Sequence, residues 1–124
     1  MRLLSRNMNA YRLQEREMTA SKQSIFRVDK FSVPAGSRDP FLAKIRETHA
    51  LLDGAEGCLQ NIVLEQKDGT SRYNVVTIVE WRDAEAYERA KQAAQVRHAA
   101  GGFDPKAMFA TLDIEADLGN YQLL

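Results

Sequence analysis

Cysteine and tryptophan each occur once in this 124-residue chain, proline three times, and the formal net charge is zero. Each scarcity excludes something. A lone Cys58 rules out an internal disulfide and cannot build a metal cluster by itself. Seventeen basic side chains balance seventeen acidic ones, interspersed rather than blocked, so the basic stripe of a nucleic-acid binder is missing. No apolar run approaches a membrane span, and the opening MRLLSRNMNAYRLQEREM lacks the apolar core of a signal peptide. There is no glycine-rich phosphate loop to indicate a nucleotide or flavin site. Two histidines, one cysteine and scattered carboxylates show no metal-ligand spacing. The expectation is a cytoplasmic protein that binds neither nucleic acid nor membrane, with one domain's worth of core.

What is present reads as alternating strands and helices. Residues 1–24 are a polar lead of weak periodicity, helical or disordered, in which Met18 offers a second candidate start. The globular domain spans 25–124. β-Formers from Ile25 to Val33 stop at Pro34. After the loop AGSRDP, Asp39 and Pro40 supply a cap and a first-turn proline. The helix they open places Leu42, Ile45, His49 and Leu52 on one face and ends at Gly54 and Gly57. CLQNIVLEQ is the next strand, and Asp68-Gly69 reads as a two-residue hairpin turn. The returning strand, YNVVTIVEW, runs into a helix capped by Asp83 and stopped at Gly101-Gly102. Asp104-Pro105 repeats the cap-then-proline signal for a short extra helix, and DIEADLGNYQLL makes a last strand, with an interruption expected at Gly119. The order β-α-β-β-α-β, with that extra helix before the last strand, predicts an α+β, ferredoxin-like fold: four antiparallel strands with helices on one face.

Helices on one side leave the other side of the sheet bare, yet the returning strand carries Val76 and Ile78 on one face and Val75 and Val79 on the other. Both faces should therefore be covered. A second copy of the chain, packed sheet to sheet across a two-fold axis, is the economical cover, so a homodimer is expected. With Asp68-Gly69 at the turn centre, Gln60 faces Thr77, Cys58 faces Val79 and Ile62 faces Val75. Trp81 leads straight into the second helix, which places Gln60, Ile62, Leu64, Tyr73, Thr77 and Trp81 under the helices. Asn61, Val63, Val76, Ile78 and Glu80 then fall on the dimer side. A slip of one residue would reverse this.

The glycine-cysteine start of strand two, NVVTIVEW followed by RDAEAYERA, and the tail GFDPKAMFATLDIEADLGNY resemble the antibiotic biosynthesis monooxygenase domain family over residues 25–124. That resemblance implies a dimeric α/β barrel. The family includes cofactor-free quinone-forming oxygenases, haem-degrading oxygenases and members of unassigned substrate. In the quinone-forming branch an asparagine is followed four residues later by a tryptophan and six further on by a tyrosine. Trp81 and Tyr87 occupy the last two positions, and Thr77 stands where the asparagine belongs. Gln60, expected opposite Thr77, is the candidate replacement carboxamide. The residues of the haem-degrading branch would fall at Ala90, near Ala100 and at Val28, and none matches. The resemblance thus implies an oxygenase without metal or other cofactor, acting on a small aromatic phenol or hydroquinone. The competing expectation is a non-catalytic dimeric binding module of the same fold.

On that reading His49, Trp81 and Tyr87 are the candidate catalytic residues, and Gln60, Thr77, His98 and Tyr73 the candidate substrate contacts. Each has a plainer alternative. A large aromatic at a strand end, such as Trp81, is ordinarily core. A histidine on an apolar helix face, as His49 and His98 both are, is ordinarily a hydrogen-bonded core residue. His49 is the preferred base because imidazole titrates near neutral pH. His98, near the negative end of its helix, suits a protonated, anion-stabilising role. Ala90 and Ala94 on the inward stripe either close the helix onto the sheet or leave room for a flat ligand.

Overall fold

The computed structural model describes residues 22–124; the expected lead falls almost wholly outside them. Strand β1 (Ile25–Ser32) passes through a short 3-10 turn at Ala35–Ser37 into helix α1 (Arg38–Leu52). Strands β2 (Cys58–Glu65) and β3 (Val75–Trp81) follow, then α2 (Ala84–Gly101), α3 (Pro105–Thr111) and β4 (Glu115–Tyr121). The sheet is antiparallel in the order β2-β3-β1-β4. This is the ferredoxin-like α+β arrangement expected from the order of elements.

Most boundaries follow from local chemistry. The Asp83 carboxylate accepts from Ala86 N at 2.8 Å and caps α2, and Asp104 does the same for α3 through Lys106 N at 3.0 Å. Helix α1 differs from expectation. Its cap is Ser37, whose hydroxyl is committed to Leu112 O at 2.6 Å, so Asp39 lies inside the first turn. The 3-10 turn before it moves the start one residue upstream of the Asp-Pro pair. Strand β4 continues unbroken through Gly119, which pairs with Val28.

The β2–β3 connection is a further correction. Gln66 N donates to Asn74 O at 2.8 Å, closing the ladder well before the Asp-Gly pair. Gly69 has φ +112°, but Asp68 lacks the positive φ that a two-residue type I′ turn needs. The loop is instead organised by Gln66 Nε2 donating to Ser71 O at 3.0 Å and by Tyr73 N donating to Ser71 Oγ at 3.1 Å. Ile62 therefore faces Ile78 instead of Val75, a shift of three residues. An odd shift turns a strand over. Val75, Thr77, Val79 and Trp81 lie under the helices as expected, all buried. Opposite them, Asn61 and Val63 now face the helices, while Gln60, Ile62 and Leu64 face away. A bulge between Cys58 and Gln60 puts Cys58 opposite Trp81 instead of the expected Val79.

Beneath the helices the apolar core forms two clusters. Phe31, Val33, Phe41, Leu42, Val75 and Ile114 make one, with Phe41 edge-on to Phe31 and Phe109 tilted against it. Val79, Trp81 and Ala86 make the other, flanked by Ile25, Leu52, Tyr87 and Ala90.

Candidate functional site

On the helix-facing side β1 reads Ile25, Arg27, Asp29, Phe31. Its ends belong to the two apolar clusters, and its middle carries a guanidinium and a carboxylate. Alternation puts both charges inward, because successive strand residues point to opposite faces. Arg27 Nε meets Asp29 Oδ1 at 2.6 Å, and Arg27 Nη1 donates to the Tyr87 hydroxyl of α2 at 2.9 Å. Thr77 pairs with Asp29 on the neighbouring strand and is buried. A polar belt thus crosses the layer between two apolar clusters.

The belt continues on β2. His49, in the last turn of α1, has its Nδ1 3.1 Å from Asn61 Oδ1. Asn61 Nδ2 donates to Asp53 Oδ1 at 3.0 Å. Burial pushes the Asp29 carboxyl above its ordinary value, against the pull of Arg27 and of His49. Burial also works against the Arg27 charge, but its bond to Asp29 and its contact with Tyr87 outweigh that and raise it. Cys58 is pushed up mainly by burial, with Asn61 hydrogen bonding acting the other way, so its thiol is not primed as a nucleophile.

His49, Thr77, Tyr87 and Trp81 all belong to the layer between the sheet and the helices. Trp81, at 4% exposure, is packed within the second apolar cluster. Gln60 is elsewhere. It lies on the open face, where Gln60 Nε2 donates to Glu80 Oε1 at 2.9 Å, and the Glu80 carboxylate also takes a 2.8 Å bond from Ser24. The carboxamide on the helix side is Asn61. Tyr73 sits in the loop before β3, at the far end of that strand from Trp81. His98 is three turns along α2 from Tyr87, edge-on to Phe103, whose ring also carries Lys44 Nζ at 4.0 Å. Neither joins the belt.

Arg27, Asp29 and Asn61 were missed by the sequence reading. The signal for the first two was available: charged residues at the same parity as Ile25 and Phe31. Asn61 was hidden by the register. A shallow, open depression bounded by Pro34, Asp113 and Glu115 lies away from these groups. Among the described residues no group of three or more His, Cys, Asp or Glu is placed to hold a metal ion. No described helix is long and apolar enough to cross a membrane.

The sequence profile of the antibiotic biosynthesis monooxygenase family matches residues 24–101. The chain belongs to that family. Its fold is that of SnoaB, a cofactor-independent oxygenase from Streptomyces nogalater, at 20% identity and a TM-score of 0.60 over 82% of this chain and 94% of that one. The haem degrader MhuD from Mycobacterium tuberculosis is similar at 18% identity and TM-score 0.60, over 81% and 95%. A dimeric protein of ferredoxin-like fold from Bacteroides fragilis is similar at 14% identity and TM-score 0.58, over 82% and 97%. At these identities the likeness is one of fold. No curated protein matches the chain.

Proposed function

We propose that the protein is a cofactor-independent monooxygenase that oxidises a small phenol or hydroquinone with dioxygen. The observation that carries this reading is the Asp29–Arg27–Tyr87 line between two apolar clusters. Desolvating an ion pair even in part costs stability that apolar side chains of the same size would not, so such a half-buried pair between apolar clusters points to chemistry. His49 takes the phenolic proton. The phenolate passes one electron to dioxygen, and the pair combine at a ring carbon that carries hydrogen, ortho or para to the oxygen. The peroxide then loses water as the C–H proton leaves, giving the quinone. One oxygen atom ends in the new carbonyl and the other in water, so no external reductant is required. Arg27, held by Asp29, stabilises negative charge on the reduced oxygen. The Tyr87 oxygen accepts from Arg27, which leaves its own proton for the peroxide. Trp81, at the family's tryptophan position, and Thr77, where its asparagine belongs, bound the reacting layer.

Supporting a homodimer, the open face of the sheet exposes Ile62, Leu64 and Tyr121 beside the half-buried Phe26, Val28, Val76 and Ile78. A contiguous apolar patch of this kind marks an association surface. A second copy, sheet against sheet, fits it, and Ile62→Lys should convert the dimer to monomer in sedimentation equilibrium.

One observation favours the second reading, a non-catalytic dimeric module of the same fold. Trp81 and Thr77 are each 4% exposed, which fits a filled layer under the helices. Oxygen uptake with anthrones and dihydroxynaphthalenes, with no added cofactor, separates the two. Uptake of one dioxygen per quinone formed, lost in His49→Ala, supports the enzyme. Saturable binding of these compounds without uptake supports the module and overturns the oxygenase.

A further inference from the structure

Asn61 is clamped at both ends, and the clamp has a chemical consequence. An ionised carboxylate accepts hydrogen bonds and cannot donate them. The amide end 3.0 Å from Asp53 Oδ1 must therefore be the nitrogen. Its other end, 3.1 Å from His49 Nδ1, is then the carbonyl oxygen, which can only accept. Neutral His49 must carry its hydrogen on Nδ1. That is the reverse of the tautomer free histidine prefers, and it leaves the lone pair on Nε2.

The three groups come from two elements. His49 and Asp53 are one turn apart, at the last turn and C-cap of α1, and Asn61 reaches them from the helix-facing side of β2. The register of β2 makes this possible: with β2 turned over, Asn61 would point at the open face. We infer that Asp53 and Asn61 are positioning residues that hold His49 as the Nδ1–H tautomer, making Nε2 the proton acceptor of the site. The identity of that proton, a substrate phenol's, rests on the proposed function; the tautomer does not.

The test reads the imidazole directly. Long-range proton–nitrogen NMR on the full chain labelled with nitrogen-15, at a pH where His49 is neutral, should show Nδ1 as the protonated nitrogen and Nε2 as the bare one. In Asn61→Leu the pattern should revert toward the opposite tautomer. In Asn61→Asp, whose carboxylate still accepts from Nδ1–H, it should persist. Proton transfer from a substrate analogue, and oxygen uptake where present, should fall about tenfold or more in Asn61→Leu and recover in Asn61→Asp. A bare Nδ1 in the parent protein overturns the inference, whether or not any variant folds. So does an unchanged tautomer in folded Asn61→Leu. A correct tautomer with no oxygen uptake across the substrate panel leaves the inference standing and overturns the oxygenase reading alone.

Discussion

Arg27 Nη1 donates to the Tyr87 hydroxyl at 2.9 Å, tying the middle of β1 to the first turn of α2 across the core. The guanidinium is held for this contact by Asp29, and both charged side chains retain roughly a quarter of their surface in solvent, 28% and 21%. An ion pair in this setting contributes little net stability but is costly to break from one side. Arg27→Met alone should destabilise the fold by about 2 kcal/mol, less than for a fully buried pair because solvent still screens Asp29. Arg27→Met with Asp29→Leu should recover most of that loss. Urea denaturation of the four members of the cycle measures it. Under the oxygenase reading neither variant takes up oxygen, so a stable but inactive double variant is the expected outcome.

How much of this was legible in the sequence depends on the range of the interaction. Caps are local, and Asp83 and Asp104 are where DAEA and DPK place them, because a carboxylate and the amides it accepts from lie within three residues. The face of β3 was legible too, since Trp81 is joined directly to α2. The face of β2 was not. It depends on one register, and the Asp-Gly signal that should set it is overridden by Gln66–Asn74 pairing and the Ser71 contacts. A three-residue shift then exchanged Gln60 for Asn61 beneath the helices. The site was half readable for the same reason: His49, Tyr87 and Thr77 sit on elements fixed locally, whereas Asn61 is delivered by a long-range pairing.

Asp83 gives a direct check on the cap of α2. Its carboxyl is held below the ordinary range, first by the Ala86 amide it accepts from. Asp83→Ala leaves that amide without its acceptor and should lower the melting temperature. Asp83→Asn, which keeps an accepting oxygen, should cost much less. Equal losses in thermal denaturation would mean that charge, and not the cap bond, carries the effect.

Gly57, just before β2, sits against Ala86 of α2. Its φ is +86°, and a Cβ there would stand 2.5 Å from Ala86 Cβ. Its carbonyl also accepts from Arg82 N at 2.8 Å, so the backbone cannot simply rotate away. Gly57→Ala should combine backbone strain with overpacking, at about 3 kcal/mol in all. A near-neutral Gly57→Ala in denaturant titrations would mean that α2 is not seated on this glycine.

Two carboxylates should shape the acid limb of stability in opposite senses. Glu56 joins Arg82 at 3.0 Å and Arg89 at 2.9 Å, linking the α1–β2 loop to α2. Its hydrogen bond with Arg82, and then that with Arg89, hold the carboxyl below its ordinary 4.5. Between that lowered value and 4.5 the unfolded chain binds more protons than the folded one, so stability rises with pH there. The contribution is present above 4.5 and is lost as pH falls through the lowered value. Asp29 runs the other way. Burial raises its folded value above 3.8, so its contribution is present below 3.8 and is lost as pH rises through the raised value. Glu56→Gln should therefore flatten the low-pH fall in the urea midpoint, and Asp29→Asn should steepen the net rise with pH. The Glu56 pairs are solvent-exposed, so the difference between Glu56→Gln and the parent should shrink in molar salt, where screening is short-ranged. A Glu56→Gln profile parallel to the parent at low salt would remove these ion pairs from the acid response.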